Sequence, residues 1–457
     1  MLLCDLPPLI DILDTIECPE YDVQDETDLL ESIMILIDEY ITNNPTEYSE
    51  PDFEEALMDD LLDLLESSFE NNSFCELEEI IEYAMDQYFT TICPPRSHPD
   101  TIILNDNINV EQIQQQIDYL KSKPQPAQRT AEWYAFRRNL ITASNAYKAF
   151  ESQSSKNQLI YEKCKEDIVP DISAPVKQVN TSTTLHWGQK YEPISVALYE
   201  HIYKTQVGDF GCIQHDIYPF LGASPDGINI LQTSPRFGRM LEIKNVVNRE
   251  IDGIPKKEYW IQMQLQMETC GLDECDFLET QFKEYETHEE FLLDDTPEYK
   301  GVIIQFTKED GSLKYVHSPI GLSLLELEEW ESNIMSLGER SSASLDPQTP
   351  PLKFENGIIR EQQVPLGEWI CNHYWKIEKM SCVLVERNRR WFEDNVNGLA
   401  ELWDTVLKER VTGYEHRAPN KKQVLLEEEI PVTCLFVMNE HGKLSTFKGN
   451  QDIQQSF

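Results

Sequence analysis

The chain has 457 residues, a length that suits two or three domains. Apolar residues make up 40% of it and aromatics 10%, which excludes a chain disordered throughout, and no apolar run approaches the roughly 20 residues that cross a bilayer. The net charge of −44 speaks against nucleic-acid binding on composition alone, so any contact with phosphate has to be made locally, inside a cleft.

The acidity is concentrated at the start, where residues 1–100 hold 28 acids and a single base, Arg96. The opening MLLCDLPPLIDILD lacks the basic flank of a signal peptide, so a soluble, intracellular protein is the expectation. Residues 1–120 read as an acidic helical domain. Thr27–Ile41, Phe53–Phe69, Glu76–Tyr88 and Val110–Leu120 each carry apolar residues at helical spacing, and Asn44-Pro45 and Cys93-Pro94-Pro95 punctuate them. The simplest reading is a packed bundle with a solvated acidic face; a partner-binding device is the alternative.

Residues 121–127, containing Lys-Pro-Gln-Pro-Ala, read as a linker. Beyond it bases and tryptophans reappear, and 128–415 alternates strand and helix. Two short helices are expected within 128–150 and longer ones at Thr184–Tyr203, Glu258–Cys270, Leu322–Met335 and Asn388–Arg410. Strands are expected at Val207–His215, Ile228–Leu231, Met240–Ile243, Asp276–Phe282, Val302–Phe306 and Leu313–His317, with an irregular acidic interruption over Lys283–Lys300 and a loop over 337–352. Residues 416–457 read as a tail with one strand, Ile430–Met438. The order implies an α/β (α+β) core with a central mixed sheet flanked by helices.

The sharpest local feature is Pro225-Asp226-Gly227, followed fifteen residues on by Leu241-Glu242-Ile243-Lys244. On a strand, residues two apart share a face, so Glu242 and Lys244 point one way and Leu241 and Ile243 the other. If the two segments pair as a hairpin, Asp226 and Glu242 converge. Two converging carboxylates repel, and a hard divalent cation such as Mg²⁺ or Mn²⁺ relieves that repulsion. Lys244 beside it would hold a water or meet charge growing on a phosphate, a constellation suited to phosphodiester hydrolysis. Taken singly, each motif is an ordinary turn or a surface Glu–Lys pair.

The eleven cysteines are scattered with no CxxC pair, against a disulfide framework or a zinc ribbon. There is no GxxxxGK[ST] or HExxH motif. Arg387-Asn388-Arg389-Arg390 is the densest basic run, either a DNA-backbone contact or a solvated helix start. Trp133, Trp187, Trp391 and Trp403 are expected in the core.

The Asp226 and Glu242-Ile243-Lys244 pair resembles the PD-(D/E)XK nuclease signature, and more closely the lambda-exonuclease or YqaJ-like viral recombinase family. Further blocks match in the same order: Trp133-Tyr134-Ala135-Phe136-Arg137 leading into Ile141-Thr142-Ala143-Ser144, then Trp187-Gly188-Gln189-Lys190-Tyr191-Glu192, then Tyr259-Trp260-Ile261-Gln262-Met263-Gln264. The likeness covers about residues 128–282, with weaker helical similarity to about 415.

The resemblance implies a restriction-endonuclease-like core and a 5′→3′ exonuclease acting on duplex DNA ends in viral recombination, repair or replication. It implies that Asp226, Glu242, Glu192 and the Ile243 carbonyl hold the metal, and that Lys244 activates water. Gln262 would orient Lys244, with Tyr259 in support, and Arg137, Ser144 and Ser224 would receive a terminal 5′-phosphate. It implies partnership with a single-strand annealing or replication protein, oligomers that in some members ring the DNA, and a place in a host cytoplasm or nucleus, since large DNA viruses carry this family. The competing class is a binding protein that keeps the nuclease fold as a scaffold and uses its acidic helices to recruit a basic partner or mimic DNA.

Overall fold

A computed structural model describes residues 23–66, 74–98, 109–128, 130–166, 181, 183–308, 311–340 and 366–419, with the backbone of 436–438 and 444–446. The acidic region forms α1 (Val23–Asn43), α2 (Phe53–Glu66) and α3 (Phe74–Thr91). Their apolar residues recur one turn apart and are buried, as in Ile33, Ile37 and Ile41 on α1 and Leu57, Leu61 and Leu65 on α2. One apolar core runs from these helices into the rest of the molecule. Tyr48 packs 5.6 Å from the Trp260 ring, whose indole N–H donates to the Arg96 carbonyl at 2.7 Å. Arg390 bonds Asp38 and the Tyr88 hydroxyl, while Arg387 pairs with Glu268 at 2.6 Å and Arg389 with Asp273 at 2.7 Å. The densest basic run is thus engaged within the chain.

α4 (Val110–Ser122) leads into the Pro-containing stretch, which is tied down: Gln125 Oε1 accepts from Gly211 N at 2.6 Å and Lys123 donates to the Gln214 carbonyl at 3.0 Å. Then come α5 (Ala131–Arg138), β1 (Ile141–Thr142), α6 (Ala143–Ala146), α7 (Gln153–Cys164) and α8 (Thr184–Tyr203). β2 (Val207–Gly208), β3 (Ile213–Gln214), β4 (Leu221–Ala223), β5 (Gly227–Asn229) and β6 (Met240–Asn245) follow, then α9 (Lys257–Cys270) and β7 (Glu274–Glu284). The last elements with described side chains are α10 (His288–Leu293), β8 (Lys300–Thr307), β9 (Leu313–His317), α11 (Leu324–Arg340), β10 (Glu368–Glu386) and α12 (Arg389–Thr412).

The main sheet has seven strands in the order β2-β5-β6-β7-β10-β8-β9, and a smaller one runs β1-β4-β3. Only β6–β7 is parallel in the main sheet. A parallel pair requires a crossover, and α9 supplies it, lying buried between the sheet and the N-terminal helices. That crossover sets the residues of α9 over β6.

Several elements differ from the sequence reading. Val207–His215 splits into β2 and β3, which join different sheets. The stretch over Lys283–Lys300 contains the helix α10. β10, the longest strand, falls where no strand was expected. Its pairing shifts register at Trp369/Cys371 and Ile377/Lys379, so the alternation that betrays a strand is broken twice. The loop expected over 337–352 lies mostly outside the described residues, as does Ile430–Met438 apart from a backbone hairpin of Phe436–Met438 with Leu444–Thr446.

Candidate active site

Asp226 sits in the turn between β4 and β5, where a side chain on the next residue has no room. A Cβ at Gly227 would lie 2.0 Å from Val207 Cγ1, so only glycine lets β2 close on β5. β5 pairs antiparallel with β6, Gly227 opposite Leu241, and Asp226 Oδ2 accepts from the Ile243 N–H at 2.7 Å. The hairpin expected from the spacing is present. Leu241 and Ile243 turn into an apolar cluster with Tyr199, Val207 and Leu278, so Glu242 and Lys244 face the opposite side.

Glu242 is 1% exposed, and a bare carboxylate at that depth is costly. Three donors hold it: Lys244 Nζ and Gln262 Nε2 (2.8 Å) on Oε1, and Gln266 Nε2 (2.7 Å) on Oε2. Both glutamines come from α9, one turn apart. Lys244 Nζ also reaches Gln262 Oε1 at 3.4 Å and stands 4.7 Å above the Tyr259 ring. Burial alone would lower the Lys244 ammonium, but the charges of Glu242 and Asp226 outweigh it and hold its pKa above the usual lysine value. Asp226 is pushed the other way. Desolvation, then the charges of Glu242 and Glu192, raise its carboxyl well above the ordinary aspartate value, against the pull of Lys244 and the Ile243 N–H.

All the residues proposed from sequence line one cleft of about 540 Å³: Asp226, Glu242, Ile243, Lys244, Gln262, Glu192, Arg137, Ser144, Ser224 and Tyr259. Arg137 donates to Ser224 Oγ at 3.3 Å and its guanidinium lies 4.6 Å from the Trp133 ring. Arg138, the rival base, turns away to the Cys164 carbonyl at 3.1 Å. Trp391 and Trp403 are in the core as expected. Trp133 is not: it is half-buried and braces Arg137. Trp187 is half-buried at the edge of a smaller apolar cluster.

Two participants escaped the sequence reading. Gln266 bonds Glu242 and, at 3.3 Å, the Ser224 carbonyl, joining the carboxylate to the Arg137 side of the cleft. Its position four residues after Gln262 puts it on the same helix face, a signal that was available. Arg249 lies 5.6 Å from the Tyr259 ring and pairs with buried Glu279; nothing in the local sequence marks it. None of the described side chains of α1–α4 lines the cleft.

A carboxylate in a turn, a carboxylate and a lysine two apart on β6, and a glutamine-bearing crossover helix form the arrangement expected from the resemblance to the PD-(D/E)XK signature. Residues 132–273 match the YqaJ-like viral recombinase domain. It is also 28% identical over 327 residues to an uncharacterized protein of Acanthamoeba polyphaga mimivirus, a match covering 64% of this chain and 54% of that one; the chain spans about half the length of this relative. Two crystal structures show similarity, LHK-Exo in complex with dAMP and the alkaline exonuclease LHK-Exo from Laribacter hongkongensis, at 22% and 23% identity. Each alignment covers 47% of this chain and 98% of the other, with a TM-score of 0.26. No described helix is long and apolar enough to cross a membrane.

Proposed function

We propose that this protein is a divalent-metal-dependent deoxyribonuclease that removes nucleotides 5′→3′ from duplex DNA ends in recombination. The observation that carries the reading is the convergence of Asp226, Glu242 and Lys244 in one cleft that Arg137 and Ser224 also line. Burial first, and then the charges of Glu242 and Glu192, raise the Asp226 carboxyl there, and the pull of Lys244 does not offset them.

That donor set fits Mg²⁺ or Mn²⁺. Among the described residues no group of three or more His, Cys, Asp or Glu is placed to hold an ion by itself; Mg²⁺ is commonly held by one or two carboxylates, with water and substrate phosphate completing its shell. Asp226 and Glu242 would hold it, with Glu192 and the Ile243 carbonyl in reach of the same cleft; when bound it would polarise the phosphate and stabilise the departing oxygen. Lys244, propped on Tyr259 and bonded to Glu242, positions the attacking water and faces the charge that develops on phosphorus. Gln262 and Gln266 fix the Glu242 carboxylate. Arg137, Ser144 and Ser224 receive a terminal 5′-phosphate, which gives the direction.

Purified protein with end-labelled duplex tests this. Expected is Mg²⁺- or Mn²⁺-dependent release of nucleotides, faster from 5′-phosphate than from 5′-hydroxyl ends; equal rates on the two ends would remove the direction, and no hydrolysis with either metal would remove the activity. The partner would be a single-strand annealing or replication protein acting on the 3′ strand left behind.

A further inference from the structure

A second cavity of about 410 Å³ adjoins the cleft, and Thr184, Val247 and Asn248 line both. Its other residues come partly from α8 and partly from β7, β8, β9 and β10. Those strand contributions, Glu284, Gln305, Tyr315 and His373, lie beyond residue 273, where the family match ends.

Its walls carry aromatic rings and buried polar groups. His186, Trp187, Tyr315 and His373 supply the rings. Lys190, Gln305 and His186 are 5%, 8% and 8% exposed. Lys190 and His373 both bond one carboxylate. Lys190 Nζ bonds Glu284 Oε1 at 2.7 Å, and His373 Nδ1 meets Glu284 Oε2 at 3.2 Å. Burial pushes the Glu284 carboxyl up, but bonds from His373, Lys190 and Tyr191 outweigh it and hold it at about 2, a permanent acceptor. Tyr315 is fixed by its bond to His186 at 2.7 Å and Gln305 by His373 at 2.7 Å.

With Lys190 already held by Glu284, this cavity offers a phosphate no uncommitted ammonium. Rings and a fixed carboxamide suit a flat, neutral group with a hydrogen-bonding edge, and the volume is within the roughly 300–1,000 Å³ of small-ligand sites. We propose that the cavity receives one unpaired nucleobase of the DNA whose backbone lies in the catalytic cleft, with Tyr315 as its stacking platform. The inference rests on the nuclease reading of that cleft. A base still in a duplex has its faces stacked and its edge paired, so the site selects a base freed at the end. That base comes from the terminal nucleotide of the strand being cut or from the nucleotide that faced it.

The test is binding of the full chain, in EDTA, to 5′-phosphorylated duplexes carrying a frayed end, with a single abasic residue at one or the other position. Expected is about tenfold weaker binding for one abasic substrate, no such penalty in Tyr315→Ala, and near-normal behaviour of Tyr315→Phe, which keeps the ring. The strand whose abasic residue costs affinity identifies the source. Equal affinity for all substrates, an abasic penalty unchanged in Tyr315→Ala, or a loss as large in Tyr315→Phe as in Tyr315→Ala would each overturn the proposal. Base-sensitive binding without metal-dependent hydrolysis would break the nuclease reading alone; hydrolysis with base-insensitive binding would break this inference alone.

Discussion

The acidic helices and the cleft around Asp226 both rely on carboxylates, and they treat them in opposite ways. On α2 the acids Asp59 and Asp63 face water while Leu57, Leu61 and Leu65 do the packing. In the cleft Glu242 is buried under a lysine and two glutamines, and Asp226 is forced toward its neutral form. Exposed charge is screened and nearly free of energetic consequence, whereas desolvated charge must be matched group by group. The net charge of −44 therefore describes the molecule's surface and says little about the cleft.

That contrast can be broken at the cleft first. Lys244→Ala should lower hydrolysis by about 10²–10³-fold with the far-UV spectrum unchanged, since it removes a preorganised cation from the reacting centre; activity within a few-fold of the wild type would sink its role. Next in size, Leu57→Ala should cost about 2–5 kcal/mol and shift the main thermal transition, because the N-terminal helices share their core with α9. A separate early transition with the main one unmoved would show instead that the acidic region folds on its own.

Gln266→Ala sharpens the claim that the cleft's carboxylate is held in place. It should weaken Mg²⁺ binding by about 10–100-fold in a calorimetric titration, whereas a merely structural glutamine would lower the melting temperature and leave metal affinity unchanged. Glu284→Gln adds a pH readout. Glu284 titrates at about 2 in the folded chain against an ordinary 4.5, so it contributes stability above pH 4.5 that is lost as pH falls toward 2. The variant should be less stable than the wild type at pH 7, with the gap closing across that window; a gap independent of pH would point to packing. Smallest of all, Asp59→Asn with Asp63→Asn should stay within about 0.5 kcal/mol of the wild type in chemical unfolding, and a larger change would show that the acidic face does more than stay solvated.

The sequence alone determined the local parts. Helical spacing marked α1–α4, and the Asp226 and Glu242-Ile243-Lys244 pair marked a hairpin, because period and turn chemistry are short-range properties written in neighbouring residues. The cleft residues could be named in advance for the same reason, helped by family-like blocks. Only the tertiary structure decided the rest. It chose Arg137 over Arg138 for the cleft. It closed Arg387, Arg389 and Arg390 onto acids of the same chain, and it threaded β10 between β7 and β8 despite two register shifts. Each of these depends on which distant group arrives to share a charge or complete a ladder, and no local pattern encodes a partner that far along the chain.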